Sequence, residues 1–280
     1  MIYIIVPTYD GLENTLNFLR SVKESVEEDY LVLLIDDHPD KLTLTSFQDF
    51  ERVKVFVSDK EIWWVGCINL GIEKLFNNYS INDRDIIIFA NNDIQIDKKS
   101  FDILLDEIQK EKLQIIHPRT FNKENKEVSS GAKILSFFPY ITRHPKNFSN
   151  PKERIDMGTG RFLMMSGSVL NKVGYVNQDL VQYGGDNDFT LSAKRLHNIN
   201  TYIHRDAMCN LNDAQTGIKN HNIQTVKELF KSFSSIRSPN NIRYRYRFFK
   251  KFFGYFFALV ITMNMTINTF IKFLIKNLSR

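Results

Sequence analysis

The stretch "DIIIFANND", residues 85–93, is a run of large apolar residues that ends abruptly in two amides and a carboxylate. Its apolar residues are consecutive rather than alternating, which is typical of a strand buried on both faces of a parallel sheet. Asn and Asp favour turns, so Asn91, Asn92 and Asp93 could simply end the strand. The same three side chains could instead form the edge of a site for a metal and a phosphate.

Two further runs share this design. "IYIIVPTYD" (residues 2–10) and "YLVLLIDD" (residues 30–37) are continuous apolar stretches that end in polar residues. After the first run, apolar residues occur at helical spacing in the segment "LENTLNFLRSVKESV". The same spacing recurs in "GCINLGIEKLFNNY" and "KSFDILLDEIQK". The alternation predicts an α/β fold with a mostly parallel central sheet and helices on both faces. Ligands bind such sheets beyond the carboxyl ends of the strands, so the three polar ends should lie together.

Composition places the chain among ordinary globular proteins. It has 280 residues, of which 43% are hydrophobic and 25% charged, enough for one large domain or a domain with an appendage. The two cysteines form no spaced cluster, which argues against a disulfide framework and a cysteine zinc site. The first ten residues show no basic segment before the apolar run, so no signal peptide is expected.

The positive charge is concentrated in the last forty residues. Residues 241–280 contain eight Lys or Arg and no Asp or Glu, which leaves 29 basic and 32 acidic residues elsewhere. Such asymmetry indicates an anionic surface as the partner. The aromatic residues of this tail are mostly Phe within an apolar run, which suits lipid better than nucleic acid, so no nucleic-acid partner is expected.

The tail has three alternative interpretations. Residues 252–271 carry no charge, and about twenty such residues could just span a bilayer. However, the dense apolar part covers only residues 252–261, and Thr and Asn interrupt the remainder. The favoured prediction is a segment of residues 241–280 that lies in a membrane interface. Packing against the body, or against a second subunit in a homo-oligomer, is the alternative, and a true span is the third.

Five motifs, taken in order, resemble family 2 glycosyltransferases, which have the GT-A fold. They are "VPTYD", "LIDD", "WVGCINLGI", "FANNDIQID" and "YGGDNDFTLSAKR", and they cover roughly residues 1–215. The resemblance implies a GT-A catalytic domain over residues 1–218. Its nucleotide-sugar-binding half is expected at 1–118 and its half for the acceptor and catalytic base at 119–218. Residues 219–280 are expected to form a basic, hydrophobic helical tail.

The resemblance implies which residues bind the donor. Pro7, Thr8 and Tyr9 match the loop that cradles the nucleotide. Asp36 matches the acid that accepts a hydrogen bond from the pyrimidine. Gly66 and Asn69 belong to the segment expected to run under the nucleotide, although Gly66 could equally serve a turn or helix packing.

"NND" stands where the family carries its Asp-x-Asp motif. There the last acid, here Asp93, binds Mn²⁺ or Mg²⁺, and oxygen ligands suit these hard ions. Asn92 is expected at the same diphosphate edge. Asn91 replaces the first acid of the motif, so the site carries one negative charge fewer.

"GGDNDF" resembles the acidic motif that supplies the family's catalytic base. Asp186 is the best match for the base, and Asp188 is the second candidate. A carboxylate there would take the proton of the attacking hydroxyl. Aspartates at a helix N-terminus are also favoured by the helix dipole alone, which is the competing interpretation.

A few residues carry weaker signals. Trp63 and Trp64 could stack on a sugar or base, or could belong to the core. Arg161 could bind a phosphate. His204 and Asn212 lie near the place of a further metal ligand in many relatives, but His204 comes early in the chain and is more simply structural.

These features predict an inverting hexosyltransferase that uses a UDP- or dTDP-linked sugar. Its expected acceptor is a glycan or lipid-linked intermediate of bacterial surface polysaccharide, on the cytoplasmic face of the membrane. A non-catalytic relative that binds sugar nucleotides or acts as a scaffold is the main alternative. A sugar nucleotidyltransferase is disfavoured because its Gly-rich first loop is absent, and a receiver domain because the acidic pair follows the second strand.

Overall fold

A computed structural model describes residues 1–38, 46–47, 50–128, 130–137, 140–146, 148–212 and 223–278. Twelve strands lie within these ranges. They are β1 (Ile2–Thr8), β2 (Tyr30–Asp36), β3 (Val53–Val57), β4 (Ile86–Ala90), β5 (Ile94–Ile96), β6 (Gln114–Phe121), β7 (Glu127–Val128), β8 (Lys133–Phe137), β9 (Tyr140–Arg143), β10 (Lys152–Ile155), β11 (Phe162–Ser166) and β12 (Asn200–Leu211).

One large sheet organises the molecule, in the order β10-β12-β6-β11-β4-β1-β2-β3. Strands β3, β2, β1 and β4 are parallel neighbours, as their continuous apolar runs predict. Strand β11 is antiparallel to β4, and Phe162 pairs with Ala90. This register brings the residues that precede β11 to the residues that follow β4, and the backbone N–H of Asn91 donates to the carbonyl oxygen of Arg161 at 3.0 Å.

Seven helices are described, and five of them cover the sheet. The seven are α1 (Leu12–Ser25), α2 (Trp63–Asn78), α3 (Lys98–Lys110), α4 (Gly167–Val173), α5 (Gly185–His197), α6 (Val226–Ser234) and α7 (Ile242–Leu278). Helices α1 and α3 bury their apolar residues on one face of the sheet, and α2, α4 and α5 on the other. Both faces of the central strands are therefore buried, as the sequence predicts.

The irregular stretch between β6 and β11 forms small elements beside the sheet. Strand β7 pairs with β6, β8 and β9 form a separate hairpin, and β10 joins the sheet edge against β12. The hairpin lies against the C-terminal helix, where the ring of Tyr140 meets that of Phe249 at a centroid distance of 4.8 Å.

The C-terminal helix α7 is two helical arms joined by a sharp kink. Gly254 at the kink has φ 77° and ψ 178°, a conformation that a residue with a side chain rarely adopts. The second arm folds back on the first, since an Arg245 guanidinium N–H meets the Thr269 hydroxyl at 3.5 Å. By length and composition α7 could cross a membrane, but the kink divides it into residues 242–253 and 255–278.

The two arms of α7 make different contacts. The first arm buries Tyr244, Phe248 and Phe249 in a core cluster that also contains Leu180 and Leu191 of the body. The second arm leaves much of its apolar surface exposed, at positions 255–257, 259, 263, 267, 270, 271, 274, 275 and 278. Packing on the body, one of the sequence alternatives, therefore describes the first arm and also Ala258 and Ile261 of the second, which belong to the same cluster. Membrane association stays a prediction and concerns the second.

Close packing of α2 on the sheet depends on Gly71. A Cβ added there would lie 2.3 Å from Cγ2 of Ile5, on the neighbouring β1. We expect Gly71→Ala to lower the free energy of unfolding by about 1–3 kcal/mol, as overpacking a tight core does. Urea unfolding would measure this, with Asn77→Ala as the control on an exposed position of the same helix. Equal stability of the two variants would show that the helix moves away freely.

Candidate active site

A cavity of about 450 Å³ lies at the carboxyl ends of β1 and β4 and the N-terminus of α2. Three predicted donor residues, Pro7, Thr8 and Tyr9, line it, together with Asn91, Asn92 and Asp93 from the end of β4. The cavity thus brings together polar side chains that follow two parallel strands, as expected for the ligand-binding edge of such a sheet.

Asp93 has the most unusual environment in this cavity. Its Oδ1 is buried without a hydrogen-bond partner among the described residues. Burial raises the pKa of Asp93 to about 6, although Arg161 and the side chain of Asn91 act to lower that pKa. An unpaired buried oxygen costs free energy, so this atom is suited to bind a ligand that supplies positive charge.

Asn91 is held by Trp64. The indole N–H of Trp64 donates to Oδ1 of Asn91 at 3.0 Å. The indole ring packs over Gly160, where an added Cβ would lie 2.2 Å from Cζ2 of Trp64. The amide that replaces the first acid of the motif is therefore an oriented part of the cavity wall.

Asn92 connects three elements at the cavity edge. Its amide nitrogen donates to the hydroxyls of Thr8 at 3.2 Å and Thr15 at 2.9 Å. These bonds join the end of β4 to β1 and α1. The Asn92 amide nitrogen is therefore used in holding the loop.

Asp186 lies at the N-terminus of α5, close to the same wall. Its carboxylate accepts hydrogen bonds from the backbone N–H of Gly160 at 2.9 Å and of Asn187 at 2.8 Å. Burial raises the pKa of Asp186, while these bonds and Arg161 act to lower that pKa. Gly160 and Arg161 connect the two sites, because the Gly160 N–H bonds Asp186 and the Arg161 carbonyl oxygen accepts the Asn91 N–H.

Asp188 lies away from the cavity and pairs with the C-terminal helix. Its side chain is buried and accepts from the Lys251 ammonium at 2.5 Å, and Asn177 and Ser192 complete its surroundings. The structure thus separates the two acids of the motif. Asp186 is linked through the backbone of Gly160 and Arg161 to the end of β4, and Asp188 holds the first arm of α7 on the body.

We expect Lys251→Met to destabilise the protein by about 3 kcal/mol, because it leaves the buried Asp188 carboxylate without its partner. Chemical denaturation would measure the loss. Lys250→Met is the matched control, since Lys250 lies over the exposed Tyr255 ring rather than against an acid. Adding Asp188→Asn to Lys251→Met should recover part of the loss, and no recovery would mean that the aliphatic stem of Lys251 carries the effect.

The two acids at the end of β2, Asp36 and Asp37, have different surroundings. Asp36 is fully buried beneath the cavity, where Oδ1 accepts from the His38 N–H and Oδ2 has no partner among the described residues. Asp37 lines the cavity instead. Its two oxygens accept from the backbone N–H groups of Ile62 and Trp63, both at 2.7 Å, so this acid holds the first turn of α2.

Gly66 and Asn69 are not brought to this cavity. A Cβ at Gly66 would meet the Ile62 side chain at 2.6 Å, so this glycine permits close packing. The Asn69 amide donates to and accepts from the backbone of Val176, at 2.8 Å each. Both residues line a neighbouring hollow of about 530 Å³, which shares Glu61 and Trp63 with the donor cavity, and we do not carry them into the proposed donor site.

The two weak candidates for a further metal ligand, His204 and Asn212, lie in different places relative to the cavity. His204 is buried in β12, where its Nδ1 receives the backbone N–H of Asp206, and it does not line the cavity. Asn212 lies beside the site, since its backbone N–H donates to the carbonyl oxygen of Asp93 at 2.7 Å. No cluster of three His, Cys, Asp or Glu side chains suited to a metal occurs within the described ranges.

Sequence reasoning missed Arg237, which comes from the segment between α6 and α7. Its guanidinium lies over the Trp63 ring, 5.4 Å from the centroid, and both side chains line the cavity. Trp63 has φ 61°, an uncommon conformation that costs free energy and is often found at functional sites. Gln182 and Tyr183, which precede α5, line the same wall. No motif near these residues signals this placement, because it depends on contacts far apart in sequence.

Comparison with known proteins agrees with this architecture. The family model described as "Glycosyl transferase family 2" matches residues 3–174. A curated relative is the low-salt glycan biosynthesis hexosyltransferase Agl10 of Haloferax volcanii, which is 24% identical over 203 residues. The match covers 70% of this chain and 62% of that relative, so this chain spans less than two thirds of the relative's length.

Two solved structures share the fold. GalNAc-T7, crystallised with UDP, GalNAc and Mn²⁺, superposes with a TM-score of 0.60 at 12% identity, over 75% of this chain and 43% of that one. S. aureus TarS, residues 1–349, gives a TM-score of 0.53 at 14% identity, over 75% and 60% of the two chains. Both are GT-A glycosyltransferases, so the predicted GT-A fold is confirmed.

Proposed function

Because this chain belongs to glycosyl transferase family 2, we propose that it is an inverting hexosyltransferase using a nucleoside-diphosphate sugar. The observation that carries the proposal is the unpaired buried oxygen of Asp93 at the edge of the cavity. Trp64 in the cavity wall packs on Gly160, whose backbone N–H bonds Asp186, so this wall joins a group suited to bind the donor to a group suited to accept a proton.

The donor would occupy the cavity between β1, β4 and α2. Tyr9 and Trp63 supply aromatic surface for the base, and a uridine or thymidine nucleotide is the donor predicted from the sequence. Arg237 lies over Trp63 and is suited to the diphosphate, because guanidinium groups pair well with phosphate oxygens. This places a cation where negative charge develops on the leaving nucleoside diphosphate.

A divalent cation fits the donor set. Mg²⁺ in such sites is usually held by one or two carboxylates, with substrate phosphates and water as the other ligands. Asp93 provides one carboxylate with an unpaired oxygen, and the diphosphate would supply further oxygens. When bound, Mn²⁺ or Mg²⁺ would neutralise negative charge on the diphosphate.

Asp186 would act as the base in a single displacement. The acceptor hydroxyl transfers its proton to the Asp186 carboxylate while its oxygen bonds to the anomeric carbon. The bond from that carbon to the diphosphate oxygen breaks, and the electron pair leaves with the nucleoside diphosphate. Attack opposite the leaving group inverts the anomeric centre. Burial, which raises the pKa of Asp186, makes its carboxylate a better proton acceptor.

A thermal-shift panel of nucleotide sugars, with and without Mn²⁺, tests donor binding. A ligand at about one hundred times its Kd should stabilise the folded protein by about 2.7 kcal/mol. We expect one UDP- or dTDP-sugar to raise the Tm in the presence of Mn²⁺, and Asp93→Ala to remove the Mn²⁺-dependent part. Identical shifts for the parent and Asp93→Ala would refute the metal assignment, and no shift with any nucleotide sugar would refute donor binding.

Asn91→Asp tests why the first acid of the motif is missing. The carboxylate can still accept the Trp64 indole N–H, but it adds a second negative charge beside Asp93. We expect the Mn²⁺ concentration for half-maximal UDP binding to fall on the order of tenfold, because added ligand charge raises cation affinity. Asn14→Asp adds the same charge on the α1 side of the cavity. This control should change the half-maximal Mn²⁺ concentration little. An equal response of both variants would indicate a general charge effect.

We further propose that the enzyme acts at the cytoplasmic face of a membrane, on a glycan or lipid-linked acceptor. The exposed apolar surface of the second α7 arm and the basic residues of 241–280 support this location. Bacterial surface polysaccharide stays a prediction from the sequence. The non-catalytic alternative predicts that the parent chain binds the donor without turnover.

A further inference from the structure

Two more cavities continue from the donor cavity toward the C-terminal arm of α7. The first, of about 270 Å³, shares Tyr183 with the donor cavity and is also lined by Gly184 and Asn187, on either side of Asp186 in sequence. The second, of about 470 Å³, shares Tyr140, Thr142, Arg245 and Met265 with the first. We call these two cavities together the trough. Its near end thus adjoins the predicted base.

The walls of the trough are largely apolar. Phe248 and Phe249 of the first α7 arm line the first cavity. Met265 of the second arm lines both cavities, and Phe273 of the same arm lines the second. Tyr140 of the β8–β9 hairpin forms the opposite side. Such walls are suited to a hydrocarbon chain, because burying apolar surface is favourable.

A cationic patch interrupts this apolar lining. Arg245 reaches into both cavities, and the far one also contains Lys272 and Lys276. The Arg245 guanidinium donates to the carbonyl oxygen of Pro239 and to Oδ1 of Asn240, at 3.2 and 2.7 Å. These partners are neutral, and among the residues that the structure describes no Asp or Glu lines either cavity.

The charge of Arg245 is therefore not neutralised within the trough. Burial lowers the pKa of Arg245 to about 10, and no carboxylate acts to raise that pKa. The guanidinium still remains protonated near neutral pH. A partly buried cation without an anionic partner is costly unless a ligand provides the anion, so the patch complements a phosphate.

The trough also adjoins the exposed apolar surface of the protein. The second α7 arm contributes Met265, Lys272 and Phe273 to the trough, while Ile271 and Ile275 of the same arm are exposed. A lipid lying along this arm could therefore extend from a membrane into the trough without crossing the protein.

We propose that the trough is the acceptor site for a lipid phosphate that carries the growing glycan. The phosphate meets Arg245 and Lys272, the hydrocarbon follows the apolar side of the second α7 arm, and the sugar end points past Tyr183 toward Asp186. This inference rests on the proposed transferase function, for which it names the acceptor class and its binding residues.

Farnesyl phosphate in a neutral detergent is a suitable probe, and isothermal titration of the full chain would measure its binding. We expect farnesyl phosphate to bind, and farnesol and inorganic phosphate to bind at least about tenfold more weakly. Farnesol lacks the phosphate that would meet the cationic patch, and inorganic phosphate lacks the hydrocarbon that would meet the apolar walls. Phosphatidylglycerol in the same detergent should not displace the probe. Tight binding of farnesol, or displacement by phosphatidylglycerol, would overturn the proposal in favour of a general lipid surface. Tight binding of phosphate alone would reduce it to an anion site.

Lys272→Gln and Lys250→Gln form a matched pair on the same helix. Both lysines are exposed, but only Lys272 lines the trough. We expect Lys272→Gln to raise the Kd of farnesyl phosphate about tenfold, as loss of one charged hydrogen bond does, and Lys250→Gln to leave it unchanged. Equal affinity of the two variants would refute the assigned phosphate position.

Arg245→Gln should weaken binding further, and its folding must be checked by thermal unfolding because Arg245 also bonds Pro239 and Asn240. UDP-sugar binding, measured on the same samples, separates the two proposals. In the parent protein, UDP-sugar binding without any farnesyl phosphate binding would overturn the acceptor site alone. Loss of both in the parent protein overturns the transferase function as well.

Discussion

Replacing Asp186 by Asn is expected to reduce sugar transfer about 10²–10⁴-fold, the contribution typical of a positioned general base. The amide is isosteric and can still accept the Gly160 N–H through its oxygen, but it cannot take the proton of the acceptor hydroxyl. Donor affinity should change little, because Asp186 is not among the residues that line the donor cavity. Turnover measured by nucleotide release, together with titration of the nucleotide sugar, checks both parts.

Asp179→Asn is the matched control for this experiment. Asp179 lies in the segment that precedes α5, but it is exposed and faces Arg247 at 3.9 Å. Exposed ion pairs contribute little, so neither stability nor turnover should change appreciably. Retained turnover in the Asp186 variant would place the base elsewhere. Binding of the nucleotide sugar without turnover in the parent chain would favour the non-catalytic alternative.

Polar substitution of the exposed stripe on the second α7 arm should release the protein from membranes. Phe256, Ile271 and Ile275 are 71%, 45% and 61% exposed. Burying the exposed part of each side chain in lipid contributes about 1–2 kcal/mol, so changing all three to Gln should weaken binding to anionic vesicles by about a hundredfold or more. Vesicle sedimentation would measure the loss, and circular dichroism would confirm that the fold is retained.

The control replaces three exposed apolar residues of the body, Leu113, Tyr175 and Leu196, by Gln. These side chains are similarly exposed, at 48%, 51% and 68%, but lie outside α7. Vesicle binding should persist in this variant. If the α7 variant stays bound, or if the body variant is released equally, the second arm is not the membrane contact.

Deleting residues 241–280 would not separate these effects. The deletion removes Phe248 and Phe249 from a core cluster and leaves the buried Asp188 without Lys251. A truncated chain should therefore unfold whether or not the tail binds lipid. Substitution of exposed side chains tests the membrane contact without disturbing this packing.

Sequence patterns located the sheet and the edge of the candidate site. Continuous apolar runs predicted the buried parallel strands, and the polar residues after β1 and β4 do converge on one cavity. Thr8, Asn92 and Asp93 could be found in this way because the carboxyl ends of neighbouring parallel strands must lie together. Their roles in donor and metal binding stay predictions.

Adjacent residues of a motif were harder to distinguish. The motif "LIDD" did not show that Asp36 is buried in the protein while Asp37 lines the cavity. Successive strand residues point to opposite faces, and the place where the strand ends decides which of the two acids faces the cavity. "GGDND" likewise did not show that Asp188 pairs with Lys251, sixty-three residues later.

The sequence by itself determined the family, the sheet and the polar edge of the cavity, because these follow from local periodicity and from residues that lie close to one another along the chain. Only the tertiary structure decided that Arg237 lies over Trp63, that Arg245 reaches into the trough, and that α7 divides at Gly254 into two arms, of which the second leaves much apolar surface exposed. Those features arise from contacts between segments that are distant in sequence. The free energy of such contacts cannot be predicted from a local pattern of residues.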